Sequence, residues 1–171
     1  MYLDRTGSTM RVLGIDPGVA IVGYCVLDFD ENTSEMSIVA SGSVQTDKNI
    51  PLPKRLLEIY VDIKELISTY KPDCASVEEI FFFKNAKTII PVVQARGVII
   101  MALEEAGVES FGYTPMVIKQ AVTGYGRADK KEVSNMVKLL LNEEIPKLDD
   151  TADAIAASIC HCRSYEISIR I

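Results

Sequence analysis

A single histidine, His161, occurs among the 171 residues, and that scarcity removes whole classes of chemistry. Serine and cysteine triads need a histidine beside the nucleophile, and histidine-rich transition-metal centres need several. Apolar residues never run on for the roughly eighteen positions a membrane helix requires, and no charged-then-apolar leader ends in a small-residue cleavage site. Neither a membrane span nor a secretory signal is expected, and a cytoplasmic location follows as an expectation. The four cysteines, Cys25, Cys74, Cys160 and Cys162, are scattered unevenly through apolar segments, which suits reduced thiols filling a core better than a disulfide frame. Cys160-His161-Cys162 has no second ligand pair at finger spacing and falls on a predicted helix, where i and i+2 side chains diverge, so zinc is not expected there. Thr123-Gly124-Tyr125-Gly126-Arg127 lacks the Gly-Lys-Ser/Thr of a phosphate-cradling loop, which removes nucleotide binding by that route.

What is there is apolar and acidic. Apolar residues make up 48% of the chain, and at this length one α/β domain buries about two-thirds of its unfolded surface. The net charge of −6 argues, taken whole, against a nucleic-acid partner, because phosphate favours a basic surface. Acids gathered in a metal site and bases gathered elsewhere escape that objection, so distribution decides.

Residues 1–9 are polar and unpatterned and are expected to be a disordered extension, with a single domain over residues 10–171. Val12, Leu13 and Ile15 form a buried strand that Pro17 and Gly18 stop, leaving Asp16 at the strand end. Asp-Pro-Gly is equally a plain turn in which Asp accepts backbone hydrogen bonds. Val22 to Phe29 and Met36 to Val44, separated by the polar cluster Asp30-Glu31-Asn32-Thr33-Ser34, complete three sequential antiparallel strands. Lys48 to Pro53 reads as a loop, and Leu56, Ile59, Tyr60, Ile63, Leu66 and Ile67 then mark one face of a helix ended by Lys71-Pro72-Asp73. A fourth strand runs from Cys74 to Phe81. Because strand side chains alternate, Glu78 and Glu79 point oppositely and only one joins Asp16; the residues alone leave open which, or whether both form a solvated edge pair.

Phe81, Phe82 and Phe83 cannot all face one core, and with Lys84 and Lys87 beside them they suit base stacking next to phosphate contacts, while a core-facing pair with one surface ring remains the commoner arrangement. Thr88 to Ala106 is an apolar helix, which Pro91 kinks unless it falls in the first turn. A strand over Glu109–Tyr113, a short helix from Met116 to Val122 and a further helix capped by Asp129 follow. Lys119, Arg127, Lys130 and Lys131 gather around that loop and helix start as a local basic patch. In the closing helix Asp150 and Asp153 share a face, with Ile155 and Ile159 turned to the core; aspartates there also serve as ordinary first-turn caps. His161, eleven residues beyond Asp150 and roughly 16 Å away at helical rise, is too far to join them and is expected to be structural. A strand-end aspartate, a strand glutamate and a paired aspartate motif make an oxygen-only ligand set suited to magnesium or manganese and to phosphodiester hydrolysis.

The order of elements is that of a ribonuclease H-like fold, a mixed five-stranded sheet flanked by helices. Gly14-Ile15-Asp16-Pro17-Gly18 with Gly23-Tyr24, Val77-Glu78-Glu79-Ile80-Phe81 followed by Lys84-Asn85-Ala86, Gln94-Ala95-Arg96-Gly97-Val98, Lys119-Gln120-Ala121-Val122-Thr123-Gly124 and Asp150-Thr151-Ala152-Asp153-Ala154 with Cys160-His161 occur in this order. From Met10 to about Arg163 the chain thereby resembles the RuvC family of bacterial Holliday-junction resolvases. The resemblance implies Asp16, Glu78, Asp150 and Asp153 as catalytic metal ligands, and so selects Glu78 over Glu79. It implies Mg2+, with Mn2+ as a substitute, and two ions per site. Phe81 corresponds to the aromatic that engages bases near the crossover, and Lys119 and Lys130 to basic residues near the cleaved strand. It further implies a homodimer that nicks two strands of like polarity in four-way junction DNA, working with a branch-migration helicase complex. A related nuclease acting on RNA and a catalytically silent junction-binding protein are the alternatives on the same fold.

Overall fold

A computed structural model describes residues 8–80, 86–141 and 149–169. Five strands, β1 (Thr9–Asp16), β2 (Ile21–Asp30), β3 (Met36–Gln45), β4 (Cys74–Glu78) and β5 (Glu109–Tyr113), form one sheet in the order β3-β2-β1-β4-β5. The first three pair antiparallel, as their turn-separated apolar runs imply, and β1–β4 and β4–β5 pair parallel. Five helices complete the described residues: α1 (Leu52–Tyr70), α2 (Ala86–Glu105), α3 (Pro115–Thr123), α4 (Lys130–Leu141) and α5 (Asp149–Ile169).

Period-two alternation sorts the strands into two cores. Met10 and Val12 of β1, Cys25, Leu27 and Phe29 of β2, and Cys74 of β4 pack against α3, α4 and α5. Leu13 and Ile15, Val22 and Val26, and Ala75 and Val77 face the other way, onto Ile59, Ile63 and Ile67 of α1 and Ala95, Ile99 and Leu103 of α2. All four cysteines are buried thiols outside any disulfide, as expected of core-filling residues.

Helix α5 lies directly on β1. A Cβ at Gly14 would stand 2.1 Å from Ser158 Oγ and 2.3 Å from the Ala154 carbonyl oxygen, so only glycine admits so close an approach. The buried Ser76 Oγ donates to the Ala157 carbonyl at 2.6 Å and fixes the same helix from β4. Asp129 caps α4 as expected, in a reciprocal pair: Glu132 N donates to Asp129 Oδ1 at 2.8 Å and Asp129 N to Glu132 Oε2 at 2.7 Å, the geometry of a capping box.

Several boundaries differ from expectation. Strand β1 begins at Thr9, paired with Asp30, and the Ser8 carbonyl accepts from Glu31 N at 2.7 Å, so the end of the expected extension is ordered by pairing that composition does not reveal. Residues 1–7 lie outside the described residues. Helix α1 starts at Leu52 with Pro53 in its first turn, where a missing N–H costs nothing. Strand β4 ends at Glu78, short of Phe81. Pro91 lies inside α2, beyond its first turn.

His161 is structural, as expected. It is buried, with Tyr113 Oη 2.8 Å from Nδ1 and Cys74 Sγ 3.2 Å from Nε2. Desolvation pushes its pKa down to about 4, so the imidazole is neutral and spans two strands from α5.

Candidate active site

The carboxylates converge because of the alternation that sorts the cores. Met10, Val12 and Gly14 face α5, and the next residue of that parity is Asp16; on β4 the same face carries Cys74, Ser76 and then Glu78. The parallel register pairs Val12 with Cys74 through to Ile15 with Val77, and its next step sets Asp16 beside Glu78. Glu79, of opposite parity, turns instead toward Gly112 and Arg96. Helix α5, seated on Gly14, brings Asp153 to the same place.

The electrostatics follow from this crowding. Glu78 is pushed up to about 8, first by burial, then by the charges of Asp16 and Asp153 and a hydrogen bond shared with Asp16, while Lys130 works in the opposite direction. Lys130 Nζ donates to Asp153 Oδ2 at 3.2 Å; the lysine side chain is 77% exposed and the aspartate 34%, so the ion pair sits at the mouth of the site. Glu78, Asp153, Lys119 and Lys130 line one cavity of about 140 Å³ together with Ile118, Val133 and Ala156. Two carboxylates and two ammonium groups lining one cavity suit a phosphate held beside hard cations.

Of the residues expected here, the fold thus brings together Asp16, Glu78, Asp153, Lys119 and Lys130. Asp150 is placed in α5, one turn before Asp153, and Lys87 in the first turn of α2, both as backbone positions only. Arg127 and Lys131 are exposed on the α3–α4 loop and the first turn of α4, outside the cavity lining. Phe81 and Lys84, with Phe82 and Phe83, lie outside the described residues.

One contact was not legible beforehand. Arg96 of α2 donates through Nε to the Glu78 carbonyl at 3.0 Å, holding the strand end whose side chain enters the site. Its only sequence signal is its place in Gln94-Ala95-Arg96-Gly97, since the contact joins an element on the opposite face of the sheet.

A sequence profile described as Crossover junction endodeoxyribonuclease RuvC matches residues 12–161. The chain belongs to the RuvC family. RuvC relatives include the crossover junction endodeoxyribonucleases of Brevibacillus brevis, 52% identical over 90% of this chain and 92% of that protein, and of Caldanaerobacter subterraneus subsp. tengcongensis, 45% identical over 95% and 98%. The Thermus thermophilus RuvC structure, 32% identical, superposes with a TM-score of 0.85 over 93% of this chain and 97% of that one. RuvC of T. thermophilus in complex with a Holliday junction substrate gives 0.86 over 93% and 96%, at 32% identity. The sheet order and flanking helices are therefore those of the RuvC, ribonuclease H-like fold.

Proposed function

We propose that this protein is a crossover junction endodeoxyribonuclease, resolving Holliday junctions by paired, symmetric nicks in recombination and DNA repair. The observation that carries the proposal is the meeting of Asp16, Glu78 and Asp153 beside Lys119 and Lys130 in a chain of the RuvC family.

Asp16, Glu78 and Asp153, with Asp150 one turn away, fit a hard divalent cation. They offer only oxygen, and the carboxyls of Glu78 and Asp16 hydrogen-bond to each other, a proton standing where a cation would otherwise neutralise them. Mg2+ is the expected ion, Mn2+ a substitute, and the four acids suffice for two ions. A divalent ion bound there supplies a Lewis acid that stabilises charge on the phosphoryl oxygens and lowers the pKa of water.

The chain's own residues do the rest. Lys119 and Lys130 draw the backbone phosphate to the cavity mouth, and Lys130 exchanges its bond with Asp153 for one with the phosphate. The carboxylates orient the attacking water in line with the 3′ oxygen, so that 5′-phosphate and 3′-hydroxyl ends result, ready for ligation.

Two nicks need two sites, and an exposed apolar stripe supports a homodimer. On α2 Ile90, Val93 and Met101 are 55%, 41% and 56% exposed, and nothing lies within 4 Å of where a Cβ of Gly97 would be. A second copy packs there at close range. Phe81, Lys84 and Lys87 belong to the DNA surface in this reading, as do Arg127 and Lys131. Work alongside a branch-migration helicase complex completes it. No helix of the described residues is long and apolar enough to cross a membrane, consistent with action on cytoplasmic DNA.

Asp16→Asn is expected to abolish cleavage of a synthetic four-way junction while leaving junction binding within a few-fold of wild type. Substantial residual cutting would remove the carboxylates from the chemistry.

A further inference from the structure

Among the described residues Tyr125 is the only aromatic side chain more than about a third exposed, at 59%. Its backbone is held on every side. Gly124 ends α3 with φ 81° and donates to the Gln120 carbonyl at 2.8 Å. Thr123 Oγ1 accepts from Tyr125 N at 3.0 Å and reaches the Lys119 carbonyl at 2.8 Å. Ala128 N donates to the Tyr125 carbonyl at 3.1 Å. Gly126 packs on the first turn of α3, where a Cβ would stand 2.8 Å from Met116 Cγ. The two glycines thus make a stiff pedestal with a ring at its tip, and little ordering entropy remains to oppose a contact there.

The surroundings fit one class of ligand. Lys119 and Lys130, which line the carboxylate cavity, precede and follow the loop, and Arg127 and Lys131 are exposed beside it. Asp129 and Glu132, the nearest acids in sequence, are each engaged on the other's backbone N–H. Met116, beside Gly126, is 61% exposed and adds apolar surface next to the loop. A rigid aromatic face flanked by cations is the arrangement that stacks on a nucleic-acid base while the cations hold its phosphates.

We propose that Tyr125 is a base-stacking contact for DNA, taking an unpaired or splayed base of the strand whose phosphate enters the Lys119–Lys130 cleft. This rests on the junction-nuclease reading and adds to it a recognition element on the α3–α4 loop.

The test uses the full chain in metal-free buffer, with anisotropy of a labelled four-way junction followed over a salt series. Tyr125→Ala is expected to weaken binding about five-fold or more without changing the salt slope, and Tyr125→Phe to retain wild-type binding. Arg127→Ala is expected to lower the slope by about one. Binding by Tyr125→Ala within two-fold of wild type overturns the inference, as does loss in Tyr125→Phe equal to that in Tyr125→Ala. Wild-type cutting with Mg2+ is measured in parallel. Tyr125-dependent binding without cutting refutes the nuclease reading and leaves this inference standing; cutting with binding indifferent to Tyr125 does the reverse.

Discussion

Glu78 makes the stability of the metal-free protein fall as pH rises from about 4.5 to about 8. Its carboxyl is held at about 8 against an ordinary 4.5, chiefly by burial and then by Asp16 and Asp153. The folded state therefore binds a proton that the unfolded state has released. The contribution is complete below about 4.5 and is lost as pH rises through about 8. At about 1.36 kcal/mol per pH unit the ceiling is about 5 kcal/mol, of which relaxation and water entry leave about half. For a chain of this size that is a fall in Tm of about 5–10 °C spread between pH 4.5 and 8, with the profile flat beyond. Mg2+ opposes the fall, because binding to the folded state alone adds RT ln(1 + [L]/Kd), and more so as the competing proton leaves. Differential scanning calorimetry of wild type and Glu78→Gln, in EDTA and in MgCl2, reads all of this. Glu78→Gln should flatten the EDTA profile. Parallel profiles in the two proteins between pH 4.5 and 8 would refute the assignment of the proton to this cluster.

Gly14→Ala forces α5 off β1, because the new methyl meets the Ala154 carbonyl as well as Ser158. A loss of about 1–3 kcal/mol in urea unfolding is expected, with cleavage falling further than binding; unchanged cleavage would show that the seat of α5 does not set the site. His161, depressed to about 4, contributes stability that is present above about 6.5 and lost as pH falls through about 4. His161→Phe should flatten the acid limb of the stability curve while destabilising the protein at pH 7, and an unaltered acid limb would count against a buried neutral imidazole. Arg96→Ala should cost about 1 kcal/mol of stability and about ten-fold in cleavage with binding retained, and Arg96→Lys should not rescue it, since the Nε donor is lost. Cleavage at the wild-type rate would make that contact passive.

Much of the fold was legible because it is local. The apolar run of Val12, Leu13 and Ile15, helical spacing from Leu56 to Ile67, the strand at Glu109–Tyr113 and the Asp129 cap each depend on neighbours a few residues away. What failed was non-local. The start of β1 at Thr9 depends on a partner at Asp30, and the end of β4 at Glu78 on the lengths of β1 and β5. The choice between Glu78 and Glu79 was open in the residues, because strand parity has no sign until Cys74 and Ser76 are known to face α5. Family resemblance selected Glu78 first, and the sheet register places its side chain with Asp16. Arg96 was invisible as a support for Glu78 because helix periodicity says nothing about a hydrogen bond to a strand end on another element.

The most direct measurement is cleavage of a mobile four-way DNA junction labelled on each strand in turn, with Mg2+ and with EDTA, beside a linear duplex and an RNA of the same sequence. The expected result is metal-dependent nicks at symmetric positions in two strands of like polarity, leaving 5′-phosphates that ligase reseals, and no comparable cutting of duplex or RNA. Junction binding without nicks, or cutting confined to RNA, would contradict the assignment.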